Sequence, residues 1–284
     1  MYDVIIIGAG PAGISAAIQL KRFGKNILVI EKNVIGGLVK NANLIENYLG
    51  FPDGITGVRF VELMKEQLNN FNIEIIFDTA ISIKYDNHFT VKTLLNEFNS
   101  EILIAASGTI PKNIKEEISI QAQELIYYEV YDLLKSHSEN ICIIGAGDAA
   151  FDYALNLTKK KNNVTILNRG TEIKSLKKLQ NEVFLNPLIC YKNNYCINSI
   201  DVQNEKLCIK SNNEFLLFDK LIIAVGREPD CSFIPEEILK NPRFFKIGDL
   251  VNNNLRQTAL AAGDGVKVAQ IIEQNFYTNR NVEE

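Results

Sequence analysis

A glycine-rich turn of one design occurs twice in this chain, each time directly after an apolar run. The first copy, Gly8-Ala9-Gly10-Pro11-Ala12-Gly13, follows Val4-Ile5-Ile6-Ile7. The second, Gly145-Ala146-Gly147-Asp148-Ala149-Ala150, follows Ile141-Cys142-Ile143-Ile144. An unbroken apolar run of this length predicts a strand buried on both faces. Residues 11–23 have helical composition and stop at Gly24, and Asn26–Ile30 reads as a second strand with Glu31 behind it. Strand, turn, helix and strand make one βαβ unit of the doubly wound type. The second copy repeats the pattern, with a helix from about Ala149 to Lys159 and a strand over Val164–Leu167.

The predicted fold class is therefore α/β, with two Rossmann-like dinucleotide-binding domains. One is discontinuous, covering 1–112 and 230–284; the other is inserted and covers 113–229. Further strands are expected at 73–77, 80–85, 88–93, 101–105, 195–202, 206–211 and 221–224. A helix is expected at about 56–69 and another over 263–276. Residues 36–57, rich in Gly, Asn and Pro, read as loops. Lys159–Asn163 and Asn252–Asn254 read as solvated loops.

Each cradle works by sterics and electrostatics. The first glycine permits a tight turn, the second lets the backbone approach a pyrophosphate, and the third lets helix and strand pack closely. The pyrophosphate rests at a helix N-terminus, where unpaired N–H groups and the positive dipole end favour it. In the first copy these residues are Gly8, Gly10, Pro11, Ala12 and Gly13, and Glu31 is placed to accept the ribose hydroxyls of an adenosine. In the second they are Gly145, Gly147, Asp148, Ala149 and Ala150, and no acid ends the next strand. Arg169 and Lys174 stand near that position, which leans toward a 2′-phosphate. Two dinucleotide sites in one chain suggest that one dinucleotide passes electrons to the other.

With 284 residues, two modest cores are affordable. A net charge of −4 argues against nucleic acid or an anionic membrane as partner, and no apolar stretch is long enough to span a bilayer. No basic segment precedes the first strand, so the expectation is a cytoplasmic protein. The five cysteines, Cys142, Cys190, Cys196, Cys208 and Cys231, have no C-x-x-C spacing and read as buried free thiols in strands, not as a disulfide framework or metal site. His88 and His137, the only histidines, fall in no motif.

Further motifs resemble those of the low-molecular-weight thioredoxin reductase-like flavoproteins over most of the chain. They are Gly36-Gly37, Glu46-Asn47-Tyr48-Leu49-Gly50-Phe51-Pro52, Ala106-Ser107-Gly108, Gly248-Asp249, Arg256-Gln257-Thr258-Ala259 and Ala262-Gly263-Asp264-Gly265. The resemblance implies FAD on the first domain and NADPH or NADH on the second. It adds Lys32, Gly37, Leu38, Asn47, Ala80, Ser107, Gly108, Asp249, Arg256, Gln257 and Thr258 to the FAD residues. Asp249 would hold the ribityl chain and residues 256–259 would meet the ring edge. It adds Gly226, of Gly226-Arg227-Glu228-Pro229, to the nicotinamide-nucleotide residues, and it implies a homodimer.

One departure is central. Where thioredoxin reductases carry C-x-x-C-D, the matching residues are Tyr128-Glu129-Val130-Tyr131-Asp132. A phenol cannot enter thiol–disulfide exchange, so the usual route to thioredoxin is closed. Ferredoxin–NAD(P)+ reductases of the thioredoxin reductase-like type also lack the disulfide, and Y-x-V-x-D together with Gly147-Asp148-Ala149-Ala150-Phe151-Asp152-Tyr153 resembles them. Other departures are Leu38 in place of a glutamine, Asn168-Arg169-Gly170 in place of a basic cluster, and a short stretch between 229 and 248. The chain also lacks the C-terminal extension that covers the flavin in many of those reductases, which implies a more open flavin face.

The expected activity is hydride transfer from NAD(P)H to FAD and onward transfer to a ferredoxin or flavodoxin. Asp132 is the candidate proton donor, and Lys174, Lys177 and Lys178 are a candidate basic patch for an acidic carrier. Tyr128 and Tyr131 are expected to pack the domain interface, with lining of the flavin as the alternative. The alternatives are reduction of a quinone, small disulfide or other small oxidant, and a non-catalytic FAD-binding module.

Overall fold

The computed structural model describes residues 1–211 and 214–277. The chain separates into two compact units. One comprises Met1–Lys40, Leu44–Ile110 and the chain from Pro229 onward; the other comprises Asn41–Asn43 and Pro111–Glu228.

The first unit runs β1 (Tyr2–Ile7), α1 (Pro11–Arg22), β2 (Ile27–Glu31), α2 (Gly57–Asn70), β3 (Glu74–Phe77), β4 (Ala80–Asp86), β5 (His88–Thr93) and β6 (Glu97–Ala105). Its sheet has the order β3-β2-β1-β6-β5-β4, and the strand Phe244–Lys246 joins beside β6. The apolar run of β1 is buried on both faces, as its unbroken pattern requires: Val4, Ile5 and Ile6 are fully inaccessible. β6 serves two partners along one edge. Its start pairs antiparallel with β5 (Phe89 opposite Ser100), and its end pairs parallel with Phe244–Lys246 (Lys246 opposite Ala105). Parallel β3, β2, β1, β6 and Phe244–Lys246 therefore end at one edge of the sheet.

The terminal helix spans Thr258–Phe276 and starts five residues before the expected Gly263. Gly263 lies inside the helix with open space at its Cβ position, whereas Gly265 serves packing. A Cβ on Gly265 would overlap the Ala12 carbonyl, so its absence lets this helix lie against α1.

The second unit contains β7 (Asn140–Ile144), α3 (Asp148–Thr158), β8 (Asn163–Leu167), α4 (Lys177–Leu185), β9 (Ile189–Lys192), β10 (Ile197–Gln203), β11 (Lys206–Ser211), β12 (Phe215–Phe218) and β13 (Lys220–Ile223). A parallel sheet has the order β9-β8-β7-β13 followed by the short strand Ile126–Tyr127. A second sheet has the order β12-β11-β10 followed by Glu117–Ile118. The sequence does not announce α4, β9 or β12. Helix α4 has no side-chain cap, and the two strands are four residues each without alternation.

Three expectations are corrected. Only Cys142 and Cys208 are buried; Cys190, Cys196 and Cys231 are exposed. All five are free thiols. Asn162 is no solvated loop residue: fully buried, it accepts the Glu139 N–H at 2.9 Å and donates to the carbonyls of Ser136 and Leu157 at 3.1 and 3.0 Å. It thus satisfies a turn that burial would otherwise leave unpaired. Within 36–57, Gly37–Asn41 form a 3₁₀ turn and Ile45 pairs with Ile55.

Candidate functional site

Both glycine turns fold alike. Gly8 donates its N–H to Ile30 at 2.8 Å, and Gly145 donates to Leu167 at 3.0 Å. Gly8 has φ +108° and Gly145 φ +143°, and a Cβ on either would overlap the carbonyl at the end of the neighbouring strand, Ala106 in one case and Ala224 in the other. Only glycine fits such a place. The middle glycines differ in kind: a Cβ on Gly10 or Gly147 would meet nothing within 4 Å. Each opens outward at the N-terminus of a helix that no side chain caps. That is the vacant approach a pyrophosphate needs, so the residues present fit a dinucleotide at both turns.

In the first unit the remaining predicted residues gather at the same sheet edge. Pro11 opens α1, with Ala12 and Gly13 buried in its first turn. Glu31, at the end of β2, is buried and accepts the N–H of Ala9 at 2.7 Å and of Asn33 at 2.8 Å. Two charge-assisted bonds fix its carboxylate beside the cradle. Lys32 follows and pairs with Asp230 at 2.7 Å. Asp230 also accepts from the Ser107 hydroxyl through its carbonyl at 2.8 Å and donates its N–H to Gly108 at 3.1 Å. This aspartate was missed in the sequence; its signal was its place directly after Gly226–Pro229, where the chain re-enters the first unit.

Gly36 donates to the Ala9 carbonyl at 2.7 Å, which brings Gly37 and Leu38 to the cradle. Asp78 donates its N–H to the Glu31 carbonyl at 3.0 Å, which brings Ala80 to the end of β2. Asp249 lies in the turn Gly248–Leu250, directly after the strand Phe244–Lys246. Asp264 of the terminal helix fixes that turn, accepting from Gly248 at 3.1 Å and from Asn252 at 2.7 Å. Arg256 leads into Gln257, the N-cap of the terminal helix, and Thr258 is its first residue. The Asn47 amide donates to the Gln257 side chain at 2.8 Å.

The second unit holds a cavity of about 1060 Å³ at the ends of its parallel strands. Gly145, Gly147, Asp148, Ala149, Arg169, Lys174 and Gly226 all line it. Ala150 does not; it is fully buried in the first turn of α3 and serves packing instead. Asn168 takes the place that Glu31 holds in the first unit. Its amide donates to the Glu172 carbonyl at 2.9 Å and the Tyr191 hydroxyl at 2.8 Å, and its oxygen accepts the Gly170 N–H at 3.2 Å. Its bonding capacity is used inside the protein. Asp148 accepts the Leu176 N–H at 2.7 Å and so closes the loop after β8 onto α3. Lys174 stands 3.8 Å from Glu172.

The segment at 128–132 also belongs to this unit. Glu129 receives the Arg227 guanidinium, the Tyr153 hydroxyl at 3.1 Å and the Asn41 amide at 2.7 Å. Burial and the Glu129 carboxylate push the Tyr153 phenol well above its ordinary pKa, so it remains a donor. Tyr128, Tyr153 and Arg227 line the cavity; Tyr131 and Asp132 do not. The sequence offered Tyr128 as packing, with a place along the flavin as the alternative, and not as a residue of this cavity.

A model of the family described as pyridine nucleotide-disulphide oxidoreductase matches residues 2–271. The chain belongs to this family. It is similar to the thioredoxin reductase of Ureaplasma parvum, 28% identical over 309 residues and covering 99% of this chain and 98% of that protein. It is likewise similar to the thioredoxin reductase of Bacillus subtilis, 28% identical over 298 residues, covering 96% and 94%. Among solved structures, Lactococcus lactis thioredoxin reductase superposes with a TM-score of 0.85 at 26% identity, covering 96% of this chain and 98% of that one. A bacillithiol disulfide reductase of Staphylococcus aureus shares the fold, with a TM-score of 0.75 at 19% identity over 97% and 99% of the two chains. The protein is thus an oxidoreductase of the thioredoxin reductase-like class, with FAD and a nicotinamide nucleotide as its cofactors. No helix among the described residues is long and apolar enough to cross a membrane.

Proposed function

We infer that this chain moves electrons between NAD(P)H and an external acceptor with no protein disulfide between flavin and acceptor. One observation carries the reading: the segment Tyr128–Asp132 contains no sulfur, and all five cysteines are free thiols. FAD, when bound, supplies a centre that takes two electrons together and releases them singly or in pairs. The first unit would hold it. Gly8, Gly10 and Gly13 leave room for the pyrophosphate, Glu31 faces the adenosine ribose, and Asp249 and residues 256–258 serve the flavin end. The second unit would hold the nicotinamide nucleotide in its cavity, with Arg169 and Lys174 at the adenosine end.

The acceptor class that suits a sulfur-free path is a one-electron carrier protein of the ferredoxin or flavodoxin type. Lys174, Lys177 and Lys178 give an acidic carrier a basic face. Asp132, exposed to solvent, would return a proton to the active site. A homodimer is the assembly proposed. The test is stopped-flow reduction of a low-potential ferredoxin by NADPH in the presence of the holoprotein. Reduction well above the free-flavin background supports the carrier. If only small quinones or disulfides are reduced, the acceptor is a small oxidant and the carrier reading falls.

A further inference from the structure

We propose that Tyr128 forms the nicotinamide-end wall of the cavity in the second unit and is a determinant of nucleotide binding. This rests on the reading of that cavity as the NAD(P)H site. A dinucleotide on an open parallel sheet lies across the C-terminal ends of the strands, with its pyrophosphate at the glycine turn. Here the turn follows β7. On one side β8 is followed by Asn168 and Arg169, the adenosine end. The nicotinamide half must then lie on the other side, over β13 and whatever borders it.

Beyond β13, among the described residues, lies the short strand Ile126–Tyr127, parallel to it, with Leu221 opposite Ile126 and Ile222 opposite Tyr127. Tyr128 is the next residue, at the C-terminal end of that edge strand, and lines the cavity. Its ring packs on the cluster that includes Ile144, Leu221 and Ile223. Its hydroxyl donates to Asn113 at 3.2 Å, across to the segment that enters the second unit and also lines the cavity. The phenol is thereby tied at both ends and offers a flat apolar face where the nicotinamide ring is expected. Beside it, the Glu129 carboxylate holds Arg227 on the same wall. Tyr131, three residues on and 41% exposed, lines no part of the cavity.

The experiment is equilibrium binding of two probes to oxidised holoprotein, with flavin content and melting temperature as controls. NADP+ carries the nicotinamide half; 2′,5′-ADP carries only the adenosine end. Y128A should weaken NADP+ binding about tenfold, as expected for loss of an aromatic contact and its buried area, and leave 2′,5′-ADP within about twofold. Y128F should stay within about threefold for both probes because the ring remains, and Y131A should change neither. If Y128A is unstable, Y128L carries the same test. The proposal is overturned if Y128A leaves NADP+ binding unchanged, or weakens both probes equally. If wild-type protein binds neither probe, the functional reading itself falls, a result distinct from failure of the tyrosine's role.

Discussion

In the first unit the strand after the glycine turn ends in Glu31, whereas in the second the same place is held by Asn168. Glu31 accepts two backbone N–H groups and keeps an anionic edge toward the cradle. Asn168 uses its amide on Glu172, Tyr191 and Gly170, and Arg169 and Lys174 line the cavity beside it. The third position of the turn differs as well. A Cβ on Gly13 would overlap the Gly8 carbonyl, yet in the second unit Ala150 is accommodated, fully buried. One backbone design thus carries an acid at this place in one unit and an amide in the other, which under the proposed function suits a ribose that wants an acceptor and a nucleotide that tolerates a cation.

The largest effect should come from the third position. G13A forces a methyl into backbone and should cost about 3 kcal/mol, with loss of bound FAD. A150G should cost only about 1 kcal/mol through helix propensity. Thermal denaturation and flavin absorbance read both, and equal effects would break the comparison. Next, E31Q removes the charge from two buried hydrogen bonds and should weaken FAD about 10- to 100-fold, measured by apoprotein reconstitution. The counterpart N168D removes donors toward Glu172 and Tyr191. It should cost the second unit about 1–3 kcal/mol without loss of FAD.

How far the chain was legible from its sequence follows from the same contrast. The turns, β1, β7 and Glu31 could be read because glycine sterics and unbroken apolar runs leave few alternatives. The residues that tie distant segments together could not. Asp230 reaches Lys32 and Ser107 across the whole inserted unit, and Glu129 gathers Arg227, Tyr153 and Asn41. Neither has any local pattern. The terminal helix begins at Thr258, five residues before Gly263, and carries Gly263 and Gly265 in its interior, where Gly265 is a contact by packing.

A third test concerns α3 and α1. Asp152 of α3 occupies the position of Ser15 in α1, and burial raises its carboxyl to about 6. The unfolded chain ionises it near 3.8, so between about pH 4 and 6 the native state binds more protons than the unfolded state. Stability of the second unit should therefore fall as pH rises through that window. D152N should remove the slope and gain about 2 kcal/mol at pH 7, as read by urea titration across pH. A variant with the wild-type slope would place the effect elsewhere. The smallest effect is expected at Arg169, exposed on the cavity wall. R169A should reduce kcat/KM for NADPH about three- to tenfold and leave that for NADH unchanged, since surface charge contacts are individually weak.

The central claim is that flavin is the only two-electron store in the chain. Anaerobic titration of the holoprotein with dithionite, followed by absorbance, counts those electrons. The account predicts that uptake stops at two electrons per FAD and that NADPH or NADH bleaches the same band. Uptake of four electrons per FAD, as a flavin plus a reducible disulfide would require, contradicts it.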